Sequence, residues 1–207
     1  MKRLGPVDSL SYALARGTTF LPGVEWHRYR LLAVPRAGMP KMPRGYQVDV
    51  EAGDALSGLI DADRQTIEYR AEHGLHALVA RRGDAVVGVN WLGTESFEED
   101  EVPATWRVPP NGCWDTGLWI DPARRLSRAF QALWAGTAAW MASRDLEWSF
   151  SRISDYNLGS LLPHFRMDGR ELGTISFASI GGLTLATSGT PRLAKTGRIT
   201  VPLAAPK

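Results

Sequence analysis

The chain has 207 residues, 44% hydrophobic and 22% charged, which is the composition of a globular protein with room for one large domain and a substantial core. A formal net charge of +2 is too balanced to favour nucleic-acid binding, which calls for a concentrated basic face. The lone cysteine, Cys113, excludes an internal disulfide framework and a multi-cysteine metal site, and we expect no bound metal. The N-terminal stretch carries no long apolar segment, so we expect neither a signal peptide nor a membrane span, and a reducing, cytoplasmic location fits best.

The N-terminal third of the chain predicts helix and strand around a Pro/Gly connector. In chain order, the predicted elements are a short helix near residues 10–14, a strand at 26–34, a strand at 46–50 and a helix at 54–74. The connector over 35–45 separates an N-terminal extension, residues 1–45, from the main domain. Asp54 is the predicted N-cap of the last helix, and Gly74 ends it.

The rest of the chain alternates hairpins with single strands and helices. The predicted elements are a hairpin over 76–93 turning at Arg82-Gly83-Asp84, a proline-rich loop over 94–112, a strand at 113–120, a helix at 128–143, a strand at 146–154, a short helix within 157–169, a hairpin over 173–189 and a final edge strand at 198–204. The strand–helix–strand order over 113–154 predicts a parallel pair with a crossover helix. We therefore expect an α/β fold whose mixed, mostly antiparallel sheet has six to seven strands and helices on both faces. The main domain covers 46–189, and residues 190–207 form a C-terminal tail or edge strand.

Three segments within residues 76–180 resemble the GCN5-related N-acetyltransferase superfamily in their order and spacing. The hairpin "ALVARRGDAVVGVNWLG" resembles the family's second and third strands. "LWIDPARRLSRAFQALW" resembles its fourth strand and acyl-CoA pyrophosphate loop, V-x-P-x-x-[RQ]-x-x-G-x-[GA], and "NLGSLLPHFRMDG" resembles its N-x-x-[SA]-…-[YH]-…-G helix. The resemblance implies the family's fold and acetyl-CoA as the acyl donor.

The predicted pyrophosphate loop lacks the family's glycines, and its register has two solutions. In the first, Arg125 takes the first basic position, and Arg128 and Phe130 stand where glycines belong. This register places Leu133 at the usual apolar position of the following helix.

In the second register, Arg124 takes the basic position, and Ser127 and Ala129 are small replacements for the glycines, at the cost of one deleted residue. Small side chains suit a pyrophosphate, which must approach backbone N–H groups closely. Across both registers, the residues assigned to the pyrophosphate are Arg124, Arg125, Ser127, Arg128 and Ala129. The alternative is an ordinary helix start capped by Asp121 with exposed arginines, although a helix N-terminus disfavours cations unless an anion binds there.

The resemblance places the pantetheine arm of the donor between the fourth and fifth strands. Asn157 and Ser160 match the polar pair that faces this arm, although Asn157 could equally be only the N-cap of its helix. A divergence of the two strands would free the backbone amides of Leu118, Trp119 and Ile120 for the arm and the thioester oxygen.

Asp115 is the candidate general base, because transfer to an amine must remove a proton from a group with a pKa near 10.4. It lies on the strand before the pyrophosphate loop, where several family members carry a catalytic glutamate. Regular alternation puts Gly117 and Trp119 on its face of the strand. Asp115 could equally cap a turn or pair with an arginine, and Glu147 is a weaker candidate base.

His164 is the candidate acid for the departing thiolate, whose pKa is near 8.5. Counting forward from Asn157 gives His164, whereas counting back from Gly169 gives Phe165, which cannot donate. His164 could equally be a surface histidine, and Tyr156 is the fallback donor.

The segment "TESFEEDE" places four glutamates and one aspartate on the loop before the fourth strand, and the candidate substrate-binding residues among them are Glu98, Glu99, Asp100 and Glu101. Such a run is usually a solvated loop. Its alternative role is to attract a cationic amine acceptor.

The resemblance implies an N-acetyltransferase that moves acetyl from acetyl-CoA to a primary amine of a small molecule, peptide or protein lysine, by direct attack in a ternary complex, and it allows a homodimer. The stretch "RLSRAFQALWAG" is also similar to acyltransferases that make ornithine lipids or N-acyl amino acids, so a longer acyl chain from acyl carrier protein or acyl-CoA is an alternative. A non-catalytic, acyl-CoA-binding protein of the same fold is the third reading.

Overall fold

The computed structural model describes residues 4–125 and 127–206. Its elements, in chain order, are α1 Pro6–Thr18, β1 Val24–Pro35, β2 Gln47–Glu51, α2 Arg64–Glu72, β3 His76–Arg82, β4 Ala85–Gly93, β5 Phe97–Glu98, β6 Ala104–Arg107, β7 Gly112–Ile120, α3 Ala129–Ala142, β8 Trp148–Ser154, α4 Leu158–Arg166, β9 Arg170–Ile180, β10 Leu183–Ala186, β11 Leu193–Ala194 and β12 Ile199–Pro202. None of the helices in these two ranges has both the length and the apolar composition needed to cross a membrane.

Across the described residues, nine strands form the main sheet in the order β11-β10-β9-β1-β8-β7-β4-β3-β2. The sheet is antiparallel except where β7 and β8 run parallel, joined by α3 as the crossover helix. The predicted fold class, a mixed and mostly antiparallel α/β fold with a central parallel pair, is therefore confirmed. The sheet is larger than the six to seven strands predicted.

One of the additional strands is β1, which belongs to the segment predicted as an N-terminal extension. It lies in the interior of the sheet and pairs antiparallel with both neighbours: Tyr29 is opposite Ser154 of β8 and Ile175 of β9. Its run from Leu31 to Val34 is buried. Residues 24–35 are thus part of the sheet, while the domain limits at 45 and 189 stay predictions.

Alternate residues of the sheet pack against helices on opposite faces. On β3, Leu78 and Ala80 join the clusters beneath α3, whereas Val79 joins the core beneath α2. The helix α3 lies close to the sheet because Gly136 faces Val48, and a Cβ at that glycine would clash with the valine side chain. The central strands of the sheet are therefore buried on both faces, as their apolar sequences require.

A small second sheet, in the order β12-β6-β5, occupies the segment predicted as a proline-rich loop over 94–112. The C-terminal strand β12 runs parallel to β6, so it is not an edge strand of the main sheet. Phe97, Trp106, Ile199 and Val201 are buried between the two sheets. The prediction failed here because parallel partners far apart in sequence leave no local pattern.

The predicted helix over 54–74 is shorter than its sequence indicates. The helix α2 begins at Arg64, and Asp63 is its N-cap, accepting a hydrogen bond from the Thr66 amide at 2.7 Å. The side chain of Asp54, the predicted cap, lies outside the described part of the chain. Gly74 does follow the end of the helix, with a φ of 77°.

Candidate functional site

The parallel strands β7 and β8 pair only along their first residues. The paired residues are Gly112 with Trp148, Cys113 with Ser149, and Trp114 with Phe150. Beyond Trp114 the two strands diverge, while β7 stays paired with β4 as far as Ile120. The divergence leaves a gap in the sheet at the carboxyl end of β7.

Backbone groups of β7 point into this gap. The Asp121 amide donates to the Val87 carbonyl at 3.1 Å, on the β4 side. Since N–H groups alternate in direction along a regular strand, the Trp119 amide also faces β4 and that of Ile120 faces the gap. Leu118 lies in a β-bulge, where this alternation does not hold, so one of the three amides expected to be free is aimed at the opening.

A β-bulge lies in the same part of β7. Thr116 is opposite Trp91 and Trp119 is opposite Val89, so β7 carries one more residue than β4 between these pairs. Gly117, inside the bulge, has a φ of +61°, in the left-handed region that glycine adopts most easily.

The bulge changes which residues share a face. Asp115 is opposite Leu92, which packs on the α3 side of the sheet. Trp119 packs on the α2 side instead. The expectation that Asp115 and Trp119 share a face is wrong, because the extra residue breaks the alternation between them.

Three clefts meet at the gap. The central cleft, about 350 Å³, lies between the diverging strands and includes Asp115, Leu118, Arg152 and His164 among its lining residues. The α2 cleft, about 660 Å³, adjoins it through Arg70, Gly117 and Leu118. The α1 cleft, about 510 Å³, adjoins it through Glu101. The central cleft can therefore be approached from two directions.

Asp115 is the buried carboxylate of the central cleft. The Ser149 hydroxyl donates to its Oδ2 at 2.6 Å. Burial raises the pKa of Asp115 to about 7, although the Ser149 and Ser151 hydroxyls partly offset this rise. The group titrates near neutral pH, which suits proton transfer.

His164 lies in the same cleft and is also buried. Its Nδ1 lies 2.7 Å from the Ser160 carbonyl oxygen, so this nitrogen carries a proton, while Nε2 has no hydrogen-bond partner. Burial lowers the pKa of His164, although the bond to Ser160 acts in the opposite direction. The ring is therefore neutral at pH 7, and Nε2 accepts a hydrogen bond rather than donating one.

The start of α4 places the predicted pantetheine-facing pair in the central cleft. Asn157 caps the helix, and its Oδ1 accepts a hydrogen bond from the Ser160 amide at 3.2 Å. Both residues line the cleft. The cap leaves the Asn157 side-chain NH₂ available, so the two roles weighed from sequence are compatible.

The predicted pyrophosphate loop is a 3₁₀ turn followed by the start of α3. Asp121 caps the turn, accepting from the Ala123 amide at 2.9 Å, and Ser127 accepts from the Ala129 amide at 3.2 Å. The loop's arginines are exposed: Arg124, Arg125 and Arg128. Ala129 is fully buried at the helix start.

The acidic loop is held by arginines. The ion pairs are Glu98 with Arg198 at 2.8 Å, Glu99 with Arg152 at 2.7 Å, Asp100 with Arg70 at 2.9 Å and Glu101 with Arg152 at 2.7 Å. Asp100 and Glu101 line the central cleft, whereas Glu99 is buried. These four carboxylates are therefore paired with arginines, and all of them except Glu99 remain exposed.

Glu99 anchors this loop. Burial acts to raise its pKa, but the charge and hydrogen bond of Arg152, with hydrogen bonds from Trp106 and the Asp100 amide, lower it to about 2. The Trp106 indole donates to it at 2.9 Å. The pKa of Asp100 is raised, chiefly by burial and then by its bond with Glu99.

The fallback candidates lie outside the central cleft. Glu147 is exposed and accepts from Asn111 Nδ2 at 3.1 Å. Tyr156 lines the α1 cleft and packs edge-on against Tyr12, with ring centroids 5.3 Å apart. Phe165 is exposed on α4.

Sequence reasoning missed several cleft residues. Ser149 and Ser151 alternate with apolar residues in "WSFSRIS", and this pattern could have placed two hydroxyls on one face of the strand beside Asp115. Arg70 and Arg152 carried no comparable signal, because their partners come from a distant loop. The charge balance of the cleft could not be read from the acidic run alone.

No protein-family model and no curated protein matches the chain. Among solved structures, it is similar to a functionally unknown conserved protein from Staphylococcus epidermidis, with 9% identity over 86% of this chain and 68% of that one, at a TM-score of 0.54. A Drosophila protein matches at 10% identity over 86% of this chain and 59% of that one, with a TM-score of 0.52. A GCN5-related glucosamine N-acetyltransferase region of a fungal multi-domain GH3 β-N-acetylglucosaminidase matches at 11% identity, over 80% of this chain and 22% of that one, with a TM-score of 0.51.

The described residues contain no group of three or more His, Cys, Asp or Glu side chains placed to hold a metal ion. The largely antiparallel sheet with one parallel pair is consistent with the fold of these structures. The chain therefore has the GCN5-related N-acetyltransferase fold.

Proposed function

We propose that the protein transfers an acetyl group from acetyl-CoA to a primary amine by direct attack in a ternary complex. The observation that carries this proposal is Asp115, a buried carboxylate with a pKa of about 7 beside the gap between β7 and β8. A base with this pKa is substantially ionised at neutral pH and still accepts a proton effectively.

Asp115 serves as the base that the reaction needs, because the amine substrate is protonated at neutral pH. At pH 7 only about 0.04% of an amine with a pKa near 10.4 is neutral. Asp115, directly or through a water molecule, takes one proton from the ammonium group and passes it to solvent, so that the neutral amine attacks the thioester carbonyl. As the C–S bond breaks, the nitrogen of the tetrahedral intermediate loses its second proton, and the thiolate, with a pKa near 8.5, takes up one proton through water.

His164 has a different role from the acid expected from sequence. Its neutral ring with a bare Nε2 cannot protonate the thiolate. We infer that Nε2 accepts a hydrogen bond from the donor's pantetheine arm or from a water molecule in the cleft. The side-chain NH₂ of Asn157 is a second contact for the same arm.

The donor is held by the backbone of β7 and the start of α3. The amide of Ile120 binds the arm or the developing oxyanion. The pyrophosphate lies at the N-terminus of α3, where exposed arginines and the positive end of the helix dipole favour an anion.

Direct attack is supported by the state of the lone cysteine. Cys113 is fully buried, and burial, together with the charge of Asp115, raises its pKa far above neutrality. A protonated, enclosed thiol cannot act as a nucleophile for a covalent acyl-enzyme.

The clefts on the two sides of the gap also allow the donor and the acceptor to enter from different directions, as a ternary complex requires.

The acceptor's ammonium group binds near Asp100 and Glu101 in this proposal. Glu101 keeps 47% of its side chain exposed, and it lies where the central and α1 clefts meet. Glu98 and Glu99 contribute indirectly, because they fix the loop through Arg198 and Arg152. A panel of amines that includes small molecules, peptides and protein lysines identifies the acceptor.

The test measures thiol release from acetyl-CoA against that panel, together with calorimetric CoA binding. Asp115→Asn should lower kcat by about 100-fold or more and leave the CoA Kd unchanged. Replacing Arg124, Arg125 and Arg128 together by alanine should raise the CoA Kd by about tenfold or more, with an unchanged melting temperature because these side chains are exposed. The matched control Asp84→Asn, in an exposed hairpin turn, should change neither quantity.

Each part of the proposal has its own contradicting result. A wild-type kcat in Asp115→Asn would show that this carboxylate is not the general base. Intact CoA binding without thiol release against any amine would favour a non-catalytic acyl-CoA-binding protein. Absence of acetyl-CoA binding would instead point to a carrier-protein donor.

A further inference from the structure

The α1 cleft reaches around the start of β1 to Glu101, where it meets the central cleft. Trp26 and His27, which are neighbours on β1, both line it. The Trp26 indole donates to the Ser11 hydroxyl of α1 at 3.4 Å, whereas Nδ1 of His27 lies 3.9 Å from Oε1 of Glu101. Because neighbouring residues of a strand point to opposite faces, the cleft extends from α1 on one face of the sheet to the acidic loop on the other.

The part of this cleft nearest α1 is apolar and partly aromatic. Its apolar lining residues include Leu21, Pro22, Val24, Trp26 and Tyr156. The Trp26 indole is bonded to Ser11, and the Tyr156 ring packs edge-on against Tyr12, so both rings are positioned before any ligand enters. The cleft volume of about 510 Å³ falls in the range of small-molecule sites, about 300–1,000 Å³, which are mostly apolar with a few polar groups.

Glu101 offers one carboxylate oxygen to a ligand. Its Oε2 accepts from the Tyr29 hydroxyl at 3.0 Å and pairs with Arg152 at 2.7 Å. Its Oε1 accepts no hydrogen bond from the described part of the chain, and the side chain is exposed. Burial raises the pKa of Tyr29, so its hydroxyl keeps the proton that it donates. The carboxylate is therefore held through Oε2, while Oε1 can accept from an ammonium group.

The charges where the clefts meet favour the α1 cleft over the α2 cleft as the route of a cationic amine. The α2 cleft joins the central cleft at the guanidinium of Arg70, which repels an ammonium group, whereas the α1 cleft joins it at the carboxylate of Glu101. A second carboxylate, Glu25, also lines the α1 cleft, against one guanidinium, that of Arg16. The cleft thus combines an apolar wall with an excess of carboxylates.

We propose that the α1 cleft binds the body of the acceptor, and that the acceptor is a primary amine with one positive charge and an aromatic ring. The ring packs against Trp26 and Tyr156, and the ammonium group donates to Oε1 of Glu101 before it loses its proton in the central cleft. A flexible alkyl linker joins ring and amine, since Trp26 and Glu101 lie on different faces of the sheet. The inference rests on the proposed function, because it names the substrate class of that reaction.

The test compares two probe amines, phenethylamine and ethylamine, by calorimetric binding to the full chain with and without CoA. The ring should lower the Kd by about tenfold or more, because it buries apolar surface against two aromatic side chains. Tyr156→Leu should remove most of this difference between the probes. Phe165→Leu is the matched control and should preserve the difference, since Phe165 is an exposed aromatic residue of α4 outside all three clefts.

Glu101→Gln separates the contribution of the charge from that of the ring. It should raise the Kd of both probes by a similar factor, because both carry the same ammonium group. Equal wild-type affinities for the two probes would overturn the inference, and so would a ring preference that Tyr156→Leu leaves intact. Thiol release from acetyl-CoA with both probes keeps the two proposals apart: ring-selective binding without turnover would support the α1 cleft as the site of the ring and contradict the transferase activity.

Discussion

The buried carboxylate of Asp115 makes the stability of the fold depend on pH. Its pKa rises from an ordinary 3.8 to about 7 in the native state because burial disfavours the charge. Between these two pH values the folded protein keeps a proton that the unfolded chain releases. Stability is therefore lost as pH rises from about 4 to about 7, and the full cost, about 4 kcal/mol, remains above pH 7.

Asp115→Asn should remove this cost. At pH 8 the variant should be more stable than the wild type by up to about 4 kcal/mol, because a neutral amide replaces a buried charge while still accepting from Ser149. At pH 4 the gain should vanish. Urea unfolding at both pH values measures the difference, and Asp84→Asn, an exposed position, should show no such pH dependence. An equal gain at both pH values would contradict burial of the charge as the cause.

The element that shapes the gap is the bulged strand β7, and Gly117 lies inside its bulge. A Cβ at this position would clash with the guanidinium of Arg70, lying 2.7 Å from its Cζ, and would be 3.1 Å from Trp91 Cδ1. Arg70 donates to Asp100 at 2.9 and 3.0 Å. A side chain at the bulge would thus displace an ion pair that borders two clefts.

Gly117→Ala should lose stability for two reasons. Its left-handed backbone costs about 1–2 kcal/mol for an L-residue, and the displaced Arg70 adds about 1–2 kcal/mol more. Gly83→Ala is the matched control, since Gly83 has a φ of 59° and no atom within 4 Å of an added Cβ. The control should show only the backbone cost and full transferase activity, whereas Gly117→Ala should also raise the acceptor KM. Equal losses in the two variants would show that the contact with Arg70 contributes nothing.

Elements whose signals are local could be predicted from the sequence. The order β7–α3–β8 follows from two apolar strands around an amphipathic helix, and it places Asp115 on the strand that precedes the crossover helix. The bulge at Gly117 could not be predicted, since a lone glycine in a strand has several meanings. The second sheet was equally hidden, because Ile199 must find Ala104 across most of the chain's C-terminal half. Ion pairs such as Arg70 with Asp100 depend on that long-range pairing, so the acidic run alone suggested a more negative cleft than the structure contains.

At the scale of the whole molecule, the C-terminal strand connects the end of the chain to the central cleft. Arg198, just before β12, donates to the carbonyl oxygens of Glu99 at 2.8 Å and Ala104 at 3.3 Å. The same guanidinium donates to the Tyr69 hydroxyl at 2.9 Å and pairs with Glu98. One side chain therefore ties α2, the acidic loop and the C-terminal segment together.

Arg198→Ala should loosen the acidic loop without touching the donor side of the cleft. The variant loses charge-assisted hydrogen bonds to several partners, so the free energy of unfolding should fall by about 1.5–3 kcal/mol. Because Asp100 and Glu101 line the central cleft from this loop, the acceptor KM should rise, while the CoA Kd stays unchanged. Lys195→Ala, an exposed cation in the same C-terminal segment, is the control and should alter neither quantity. Urea unfolding, steady-state kinetics and calorimetry measure the three effects. A loss of stability with an unchanged acceptor KM would mean that the position of the loop does not affect acceptor binding. A raised CoA Kd would show that the disturbance extends across the gap between β7 and β8.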